Sequence, residues 1–206
     1  MRAVRIVLWL AVATVAGLSA GYFLFGQPEP QQPLRSAEEV ARDLINGRFS
    51  LIDHTGAPVT EKTYDGTWRL VFFGYTHCPD VCPTTLGTIA LIMDELGEDA
   101  AQVTPLFITV DPARDTPALL ADYVVAFHPR IVGLTGSDEQ IAATARNFRA
   151  YYAKSKPETD DDPDSYGMDH TAYLYLMLPD GSYGKAFSPV DTVETIVREM
   201  RARFKT

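Results

Sequence analysis

The stretch RLVFFGYTHCPDVCPTTL, from Arg69 to Leu86, decides the fold of this chain. It begins with a continuous apolar run to Tyr75, which is typical of a strand covered on both faces of a sheet. Apolar residues then recur at helical spacing from Thr84 to Leu96. Cys78 and Cys82 lie between these two elements. The stretch therefore predicts a buried strand, a turn that carries two thiols, and a helix.

The rest of the chain continues this alternation of strands and helices. A hairpin is predicted where Phe49 to Asp53 and the region near Val59 flank a turn. Further strands are predicted at 106–110, 131–134, 172–178 and 185–187, and helices at 36–45, 117–127, 137–152 and 193–204. This order implies a mostly parallel sheet with a hairpin at its far end. We expect an α/β fold with a thioredoxin-like central mixed β-sheet flanked by helices and an N-terminal β-hairpin.

A separate apolar segment precedes this domain. Ile6 to Phe25 contains no charged residue, and Arg2 and Arg5 come before it. A helix of this length rises about 30 Å, which matches the hydrocarbon core of a bilayer, and the arginines predict that its start stays in the cytoplasm. We interpret it as a single transmembrane helix, with a cleaved signal peptide ending near Ala20 as the alternative. Both interpretations export the domain.

Changes in composition divide the chain into three parts, and its charge argues against nucleic acid as a partner. Residues 1–26 are predicted to be the N-terminal membrane anchor, residues 27–48 a linker with a short helix, and residues 49–206 the thioredoxin-like domain. The chain has 27 acidic and 18 basic residues, so nucleic acid is not expected as a partner. The acidic run from Glu158 to Asp164 is interpreted as a solvated loop, or alternatively as a partner-docking or metal-gating loop.

The two cysteines indicate redox or metal chemistry rather than structural cross-linking. No other cysteine is present, and a disulfide between Cys78 and Cys82 would close only a small loop. Pro83 suits a first helical position, so we expect Cys82 near the helix start, where the helix dipole favours the thiolate. Such a pair could oxidise reversibly or bind one ion, and sulfur ligands favour soft metals such as Cu(I).

Among the four histidines, His170 is the candidate third ligand. His54 and His128 are expected to be solvated loop residues, whereas His77 adjoins the thiols and is assigned a second-shell or entry role. His170 directly precedes the predicted strand 172–178. In a thioredoxin-like sheet, the loop that enters this strand faces the cysteine loop. Thioredoxins have a cis-proline there, and a histidine in its place would create a metal site with two sulfurs and one nitrogen.

Three segments resemble signature blocks of the SCO (SenC) family. They are FFGYTHCPDVCPTTL, VDPARDTP from Val110 to Pro117, and MDHTAYLYLMLPDG from Met168 to Gly181, and the similarity runs from about Phe49 to the C-terminus. The resemblance implies a metallochaperone that delivers copper to the dinuclear copper centre of cytochrome c oxidase subunit II. It also implies that Cys78, Cys82 and His170 are the copper ligands.

The resemblance gives further expectations about residues, partners and location. Asp111 is expected to lie near the metal as an outer-shell group, or alternatively to cap the following helix with Asp115 and pair with Arg114. Partners would be cytochrome c oxidase subunit II, an upstream copper donor and the membrane, and the ion would be Cu(I) and possibly also Cu(II). We expect a bacterial inner-membrane protein with its C-terminal domain in the periplasm, with a mitochondrial inner-membrane location as the alternative.

Two other functions share this fold. The first is a membrane-anchored thiol–disulfide oxidoreductase that uses Cys78 and Cys82 as a redox-active pair to keep the target cysteines reduced. The three-residue spacer and the absent cis-proline argue against a general reductase. The second is a peroxide-handling redoxin, but the sequence lacks the threonine or serine and the arginine that would surround a single nucleophilic cysteine. We expect a chaperone rather than an enzyme, and an accessory thiol–disulfide reductase activity would be compatible with that role.

Overall fold

The computed structural model describes residues 2–25, 35–155 and 166–205. The predicted spacer at 27–33 and the acidic run at 158–164 lie outside these residues. The chain divides into two units, Met1–Ser36 and Ala37–Thr206. The predicted boundaries after residues 26 and 48 remain predictions.

In the first unit, residues 2–25 form one helix, α1 (Arg2–Phe25). Its segment Arg2–Phe23 is long and apolar enough to cross a membrane, although a signal sequence would have the same properties. None of the most apolar part of this segment is buried against protein. Length and composition therefore fit both of the interpretations that the sequence allows.

The second unit is built on a seven-stranded mixed sheet. Its strands follow the order β2-β1-β5-β4-β3-β8-β9, and a separate two-stranded ribbon pairs β6 with β7. The strands are β1 (Ser50–Asp53), β2 (Pro58–Thr60), β3 (Trp68–Gly74), β4 (Val103–Thr109), β5 (Val132–Thr135), β6 (Tyr152–Lys154), β7 (Met168–His170), β8 (Leu174–Met177) and β9 (Tyr183–Phe187). The predicted fold class is confirmed.

Only the centre of the sheet is parallel. Strand β4 pairs parallel with β3 and β5, whereas β1 with β2, β1 with β5, β3 with β8, and β8 with β9 are antiparallel pairs. The prediction of a mostly parallel sheet was therefore wrong. Tight turns account for the antiparallel pairs β1 with β2 and β8 with β9. Each hairpin then joins the parallel centre through one of its strands, β1 or β8, and that strand is also antiparallel to its neighbour.

The described residues of this unit form five α-helices, and most of these begin where the sequence signals predict. They are α2 (Ala37–Leu44), α3 (Val81–Leu96), α4 (Pro117–Val125), α5 (Asp138–Phe148) and α6 (Val193–Phe204). Thr116 caps α4 by accepting a hydrogen bond from the Leu119 N–H, and Ser137 with Gln140 forms the expected capping box of α5. Helix α5 ends earlier than predicted because Arg149 adopts a left-handed conformation, with φ 55°.

The start of α3 also differs from the prediction. The helix begins at Val81, so Pro83 is its third residue rather than its first. Proline is tolerated there because the first helical N–H groups have no partner within the helix. Cys82 therefore lies in the first turn of α3, while Cys78 lies in the preceding turn.

The core is densely aromatic and surrounds the central strand. All seven residues of β3 are buried, as predicted for a strand covered on both faces. Phe72 and Phe73 are fully buried. The Phe72 ring lies 6.1 Å from the Phe107 ring, and the Phe73 ring lies 5.3 Å from the Phe148 ring, between centroids. This packing fixes the position of Gly74, the last residue of β3, and hence the start of the cysteine turn.

One residue of β3 is charged and yet buried. Arg69 is 1% exposed, and its guanidinium donates hydrogen bonds to the carbonyl oxygens of Tyr64 and Pro179 and to the carboxylate of Asp65, at 2.9–3.2 Å. These bonds tie the start of the central strand to the turn between β8 and β9.

We therefore predict that Arg69→Ala lowers the free energy of unfolding by about 3 kcal/mol, because it opens a cavity in the core and removes the hydrogen bonds that join β3 to Tyr64 and Pro179. Urea unfolding of the full-length chain in detergent would measure the loss. Arg48→Ala is the control, because Arg48 is exposed, and a change within about 0.5 kcal/mol is expected there. Equal effects of the two substitutions would contradict the prediction.

Candidate metal centre

The two cysteines lie side by side at the carboxyl end of β3. Cys82 is fully buried in the first turn of α3, and Cys78 is half-buried in the turn before it. The Cys82 N–H donates a hydrogen bond to the Cys78 Sγ at 3.4 Å. This bond satisfies one of the free N–H groups at the helix start and partly offsets negative charge on the Cys78 sulfur. The turn thus presents one enclosed and one accessible sulfur.

His170 brings its imidazole onto this sulfur pair. Its Nε2 lies 3.3 Å from the Cys82 Sγ, and the three donor atoms of Cys78, Cys82 and His170 all lie within 4.8 Å of one another. The His170 Nδ1 lies 3.2 Å from the Thr171 carbonyl oxygen, which can only accept a hydrogen bond. Nδ1 therefore carries the proton, and Nε2 directs its lone pair towards the sulfurs.

The fold explains how residues so distant in sequence meet. Strand β8 runs antiparallel to β3, and Leu174 pairs with Phe72 near the end of β3. The chain therefore enters β8 at the same edge of the sheet where the cysteine turn begins. His170 was predicted in a loop before a strand at 172–178, but it is the last residue of β7, where it pairs with Tyr152. The sheet strand itself is shorter, Leu174–Met177.

Two aromatic rings pack against the imidazole of His170. The rings of Phe72 and Tyr75 both meet the His170 ring edge-on, with centroids 5.9 Å apart. Burial lowers the pKa of His170 below its ordinary value of 6.5, so the imidazole is neutral at pH 7 and available as a ligand. Burial also raises the pKa of Cys82, so the expected preference of Cys82 for the thiolate is wrong for the metal-free protein.

The second-shell roles predicted for His77 and Asp111 remain predictions, and the structure gives the contacts of each residue. His77 is half-exposed, and its Nδ1 lies 3.0 Å from the Thr76 hydroxyl. Asp111 is buried and accepts hydrogen bonds from the Arg114 Nε and, at 2.8 Å, from the Tyr166 hydroxyl. The predicted pairing of Asp111 with Arg114 is therefore present.

Two expectations about the aspartates and the helix cap were wrong. The cap of α4 is Thr116, because its hydroxyl reaches the Leu119 N–H. Asp115 does not pair with Arg114, because its carboxylate is occupied by Thr76 and Thr109.

Arg114 links Asp111 indirectly to the donor atoms. Its guanidinium lies over the Tyr166 ring, 3.7 Å from the centroid, and also faces the Tyr75 ring at 5.9 Å. Tyr75 in turn contacts His170. The Lys154 ammonium lies 3.9 Å from the Tyr166 centroid, so Tyr166 contacts two cations. These contacts hold the β6–β7 ribbon, which carries His170, against the cysteine turn.

Sequence reasoning missed Gly74, which leaves room for the buried sulfur. A Cβ at this position would lie 2.7 Å from the Phe107 ring and 2.8 Å from the Cys82 Sγ. A glycine directly after a continuous apolar strand was the available signal, because glycine is favoured where other groups approach the backbone closely. No feature of the sequence predicted that Tyr75 contacts His170, or that Asp115 accepts hydrogen bonds from Thr76 and Thr109.

The donor set suits a soft metal ion. Two sulfurs and one neutral imidazole nitrogen match Cu(I), while zinc would require a fourth ligand. Among the residues described, this is the one group of three metal-binding side chains that the structure brings together. The site therefore fits copper by the chemistry of its ligands.

Comparison with known proteins agrees with this geometry. The family model SCO1/SenC matches residues 37–205 of the chain. The chain belongs to the SCO1/SenC family. A SCO2-like protein of Rickettsia felis is 36% identical over 90% of this chain and 92% of its own. The mitochondrial SCO1 homolog of Homo sapiens is 44% identical over 70% of this chain and 48% of its own.

A solved structure of this SCO1/SenC family extends the comparison to copper. Arabidopsis thaliana ScoI with copper bound is 40% identical and aligns with a TM-score of 0.72, covering 78% of this chain and 98% of its own. The chain spans between about half and three fifths of the length of the mouse, human and Arabidopsis mitochondrial relatives.

Gly74→Ala tests the close packing under Cys82. We expect a loss of about 1–3 kcal/mol in unfolding free energy, together with faster loss of bound copper, because the new methyl group must displace the Phe107 ring or the Cys82 sulfur. Thermal unfolding and copper release to a chelator would measure the two effects.

Gly87→Ala in α3 is the matched control, because a Cβ there meets nothing within 4 Å. It should stabilise the helix by up to about 1 kcal/mol without affecting copper. Unchanged stability and copper release in the Gly74 variant would show that the site has more room than its contacts indicate.

Proposed function

We propose that this protein is a copper chaperone whose ligands are Cys78, Cys82 and His170. The observation that carries the proposal is the convergence of the three donor atoms within 4.8 Å, with the His170 lone pair directed towards the sulfurs. Family membership and the copper-bound Arabidopsis relative support copper as the ion. The recipient is the dinuclear copper centre of cytochrome c oxidase subunit II, as the family resemblance implies.

Three ligands suit a protein that must release its ion. A trigonal site leaves one side open to an incoming thiolate, so copper can pass by stepwise ligand exchange. Cys78 is the more exposed sulfur and lies outside the helix, whereas Cys82 is enclosed by the core. The recipient thiolate would therefore displace Cys78 first and Cys82 last. Cu(I) is the preferred ion, and Cu(II) would also be accepted by the imidazole and thiolates.

The chain would act at a membrane surface. Helix α1 would hold the protein in the bacterial inner membrane, with the residues after it in the periplasm, where an upstream copper donor would load the site. A mitochondrial inner-membrane location is the alternative. The chain has more acidic than basic residues, so nucleic acid is not proposed as a partner.

His170→Ala is expected to keep the fold and lose most of the bound copper. Two sulfurs alone leave the ion without its nitrogen ligand, so copper content after dialysis against a weak chelator should fall at least about tenfold. Metal analysis of the full-length protein would measure it. His128→Ala is the control, because His128 accepts a hydrogen bond from the Arg130 N–H and is not part of the donor group. Equal copper content in all three proteins would refute the ligand assignment.

A second candidate function is thiol–disulfide exchange with the recipient. The observation that favours it is the pair of adjacent free thiols, one accessible and one buried, with the Cys82 N–H directed at the Cys78 sulfur. An accessible cysteine can attack a disulfide in the recipient, and the buried one can then resolve the mixed disulfide, so the recipient gains two thiols and this pair is oxidised.

Copper should suppress this second activity, because both sulfurs are occupied in the loaded protein. We expect the reduced, metal-free chain to reduce a disulfide peptide from the recipient, and the copper-loaded chain to do so at least about tenfold more slowly. Free-thiol titration of the peptide would follow the reaction, with Cys78→Ser as the inactive control. Equal peptide reduction by wild type and Cys78→Ser would exclude the exchange function.

A further inference from the structure

The feature that carries a further inference is the carboxylate of Asp115, which is completely buried. It accepts three hydrogen bonds: from the Thr76 N–H at 3.1 Å, from the Thr76 hydroxyl at 2.6 Å, and from the Thr109 hydroxyl at 2.5 Å. A buried carboxylate is stable only when its oxygens are satisfied in this way. Asp115 is the residue that ties Thr76, two positions before Cys78, to the core.

The backbone of Asp115 is equally fixed. Its N–H donates to the Asp111 carbonyl at 3.0 Å, and its carbonyl accepts from the Thr135 hydroxyl at 3.0 Å. Thr109 ends β4 and Thr135 ends β5. Asp115 therefore joins the carboxyl ends of two parallel strands to the turn that leaves the third, β3. The cysteine turn is thus tied to both strands through this one residue.

The same hydrogen bonds also determine which ring nitrogen of neutral His77 carries the proton. The Thr76 hydroxyl gives its proton to Asp115, so at 3.0 Å it accepts a hydrogen bond from the His77 Nδ1. The proton of neutral His77 is thereby held on Nδ1. Among the residues described, His77 is the one potentially cationic side chain within 4.0 Å of the Asp115 carboxylate, at 3.9 Å. The negative charge of Asp115 thus has no lysine or arginine beside it in the described structure.

We propose that Asp115 is a positioning residue of the copper site, which fixes the Cys78 turn through Thr76 and whose buried negative charge favours Cu(II) relative to Cu(I). The proposal rests on the proposed function. A buried negative charge interacts more favourably with an ion of charge two than with one of charge one, and the interaction is screened little in the protein interior. The hydrogen bonds to Thr76 place this charge against a residue only two positions before Cys78.

Asp115→Asn tests both parts because it keeps the shape and removes the charge. One amide oxygen can still accept from Thr109 and the Thr76 N–H, but the amide NH₂ cannot accept the Thr76 hydroxyl proton. We expect the affinity for Cu(II) to fall about tenfold, the change expected when a unit charge near a partly buried site is removed, and the affinity for Cu(I) to fall less. The full-length protein in detergent would be titrated against chelators of known affinity for each ion.

A merely structural role would lower the melting temperature and both affinities in parallel, without changing their ratio. The energy of the thiolate-to-Cu(II) absorption band is a further readout, because it reports the geometry of the sulfurs around the ion. Thr109→Val is the matched control, because it removes a hydrogen bond to the same carboxylate from the strand rather than from the cysteine turn. It is expected to lower stability while leaving the affinity ratio and the band unchanged.

The outcomes separate this inference from the proposed function. If wild type binds neither copper ion, the proposed function is wrong. If wild type binds copper and Asp115→Asn keeps the affinity ratio and the band, the inference about Asp115 is overturned. If Asp115→Asn does not fold, the positioning role is tested with Thr76→Val instead. A shifted absorption band together with faster release of Cu(II) would support the role. A band and a Cu(II) release rate equal to those of wild type would overturn it.

Discussion

The antiparallel pairing of β3 with β8 is the constraint on which the metal centre depends. Because Leu174 pairs with Phe72, the chain reaches β8 at the edge of the sheet where β3 gives way to the cysteine turn. Residues 88 positions apart, Cys82 and His170, thereby come to 3.3 Å. A change of register by one residue would move the imidazole by roughly 3.3 Å and turn the side chains of β8 to the opposite face. The buried aromatic core that fixes this register therefore also sets how closely Cys82 and His170 approach.

The polar groups around the site divide into two sets with different tasks. Asp115 holds the cysteine turn through the hydrogen bonds that its carboxylate accepts from Thr76. Asp111, Arg114 and Tyr166 hold the β6–β7 ribbon through an ion pair, a hydrogen bond and a cation–π contact. Both sets are buried or half-buried, where electrostatic interactions are stronger than in water and unpaired groups are costly. The donor atoms thus approach one another from two independently supported segments.

Much of this arrangement could be predicted from the sequence, and the rest could not for identifiable reasons. The apolar run before Cys78 and the capping residues Thr116 and Ser137 predict strands and helices because these signals are local. The thioredoxin-like topology then predicts that His170 faces the thiols. The ribbon formed by β6 and β7 was missed because each strand has three residues and they pair across the acidic stretch. The pKa of Cys82 was misjudged because burial, which depends on the whole fold, outweighs the local helix dipole.

The separation of the ribbon from the main sheet has a mechanical consequence. The His170 nitrogen belongs to a two-stranded ribbon that, among the described residues, shares no strand pair with the seven-stranded sheet, whereas Cys82 lies in the first turn of a long helix and Cys78 in the turn between a central strand and that helix. The distance between nitrogen and sulfur can therefore change by a small displacement of six paired residues, with every strand pair of the large sheet intact. In the proposed copper transfer, the site could therefore open without breaking a strand pair of the large sheet.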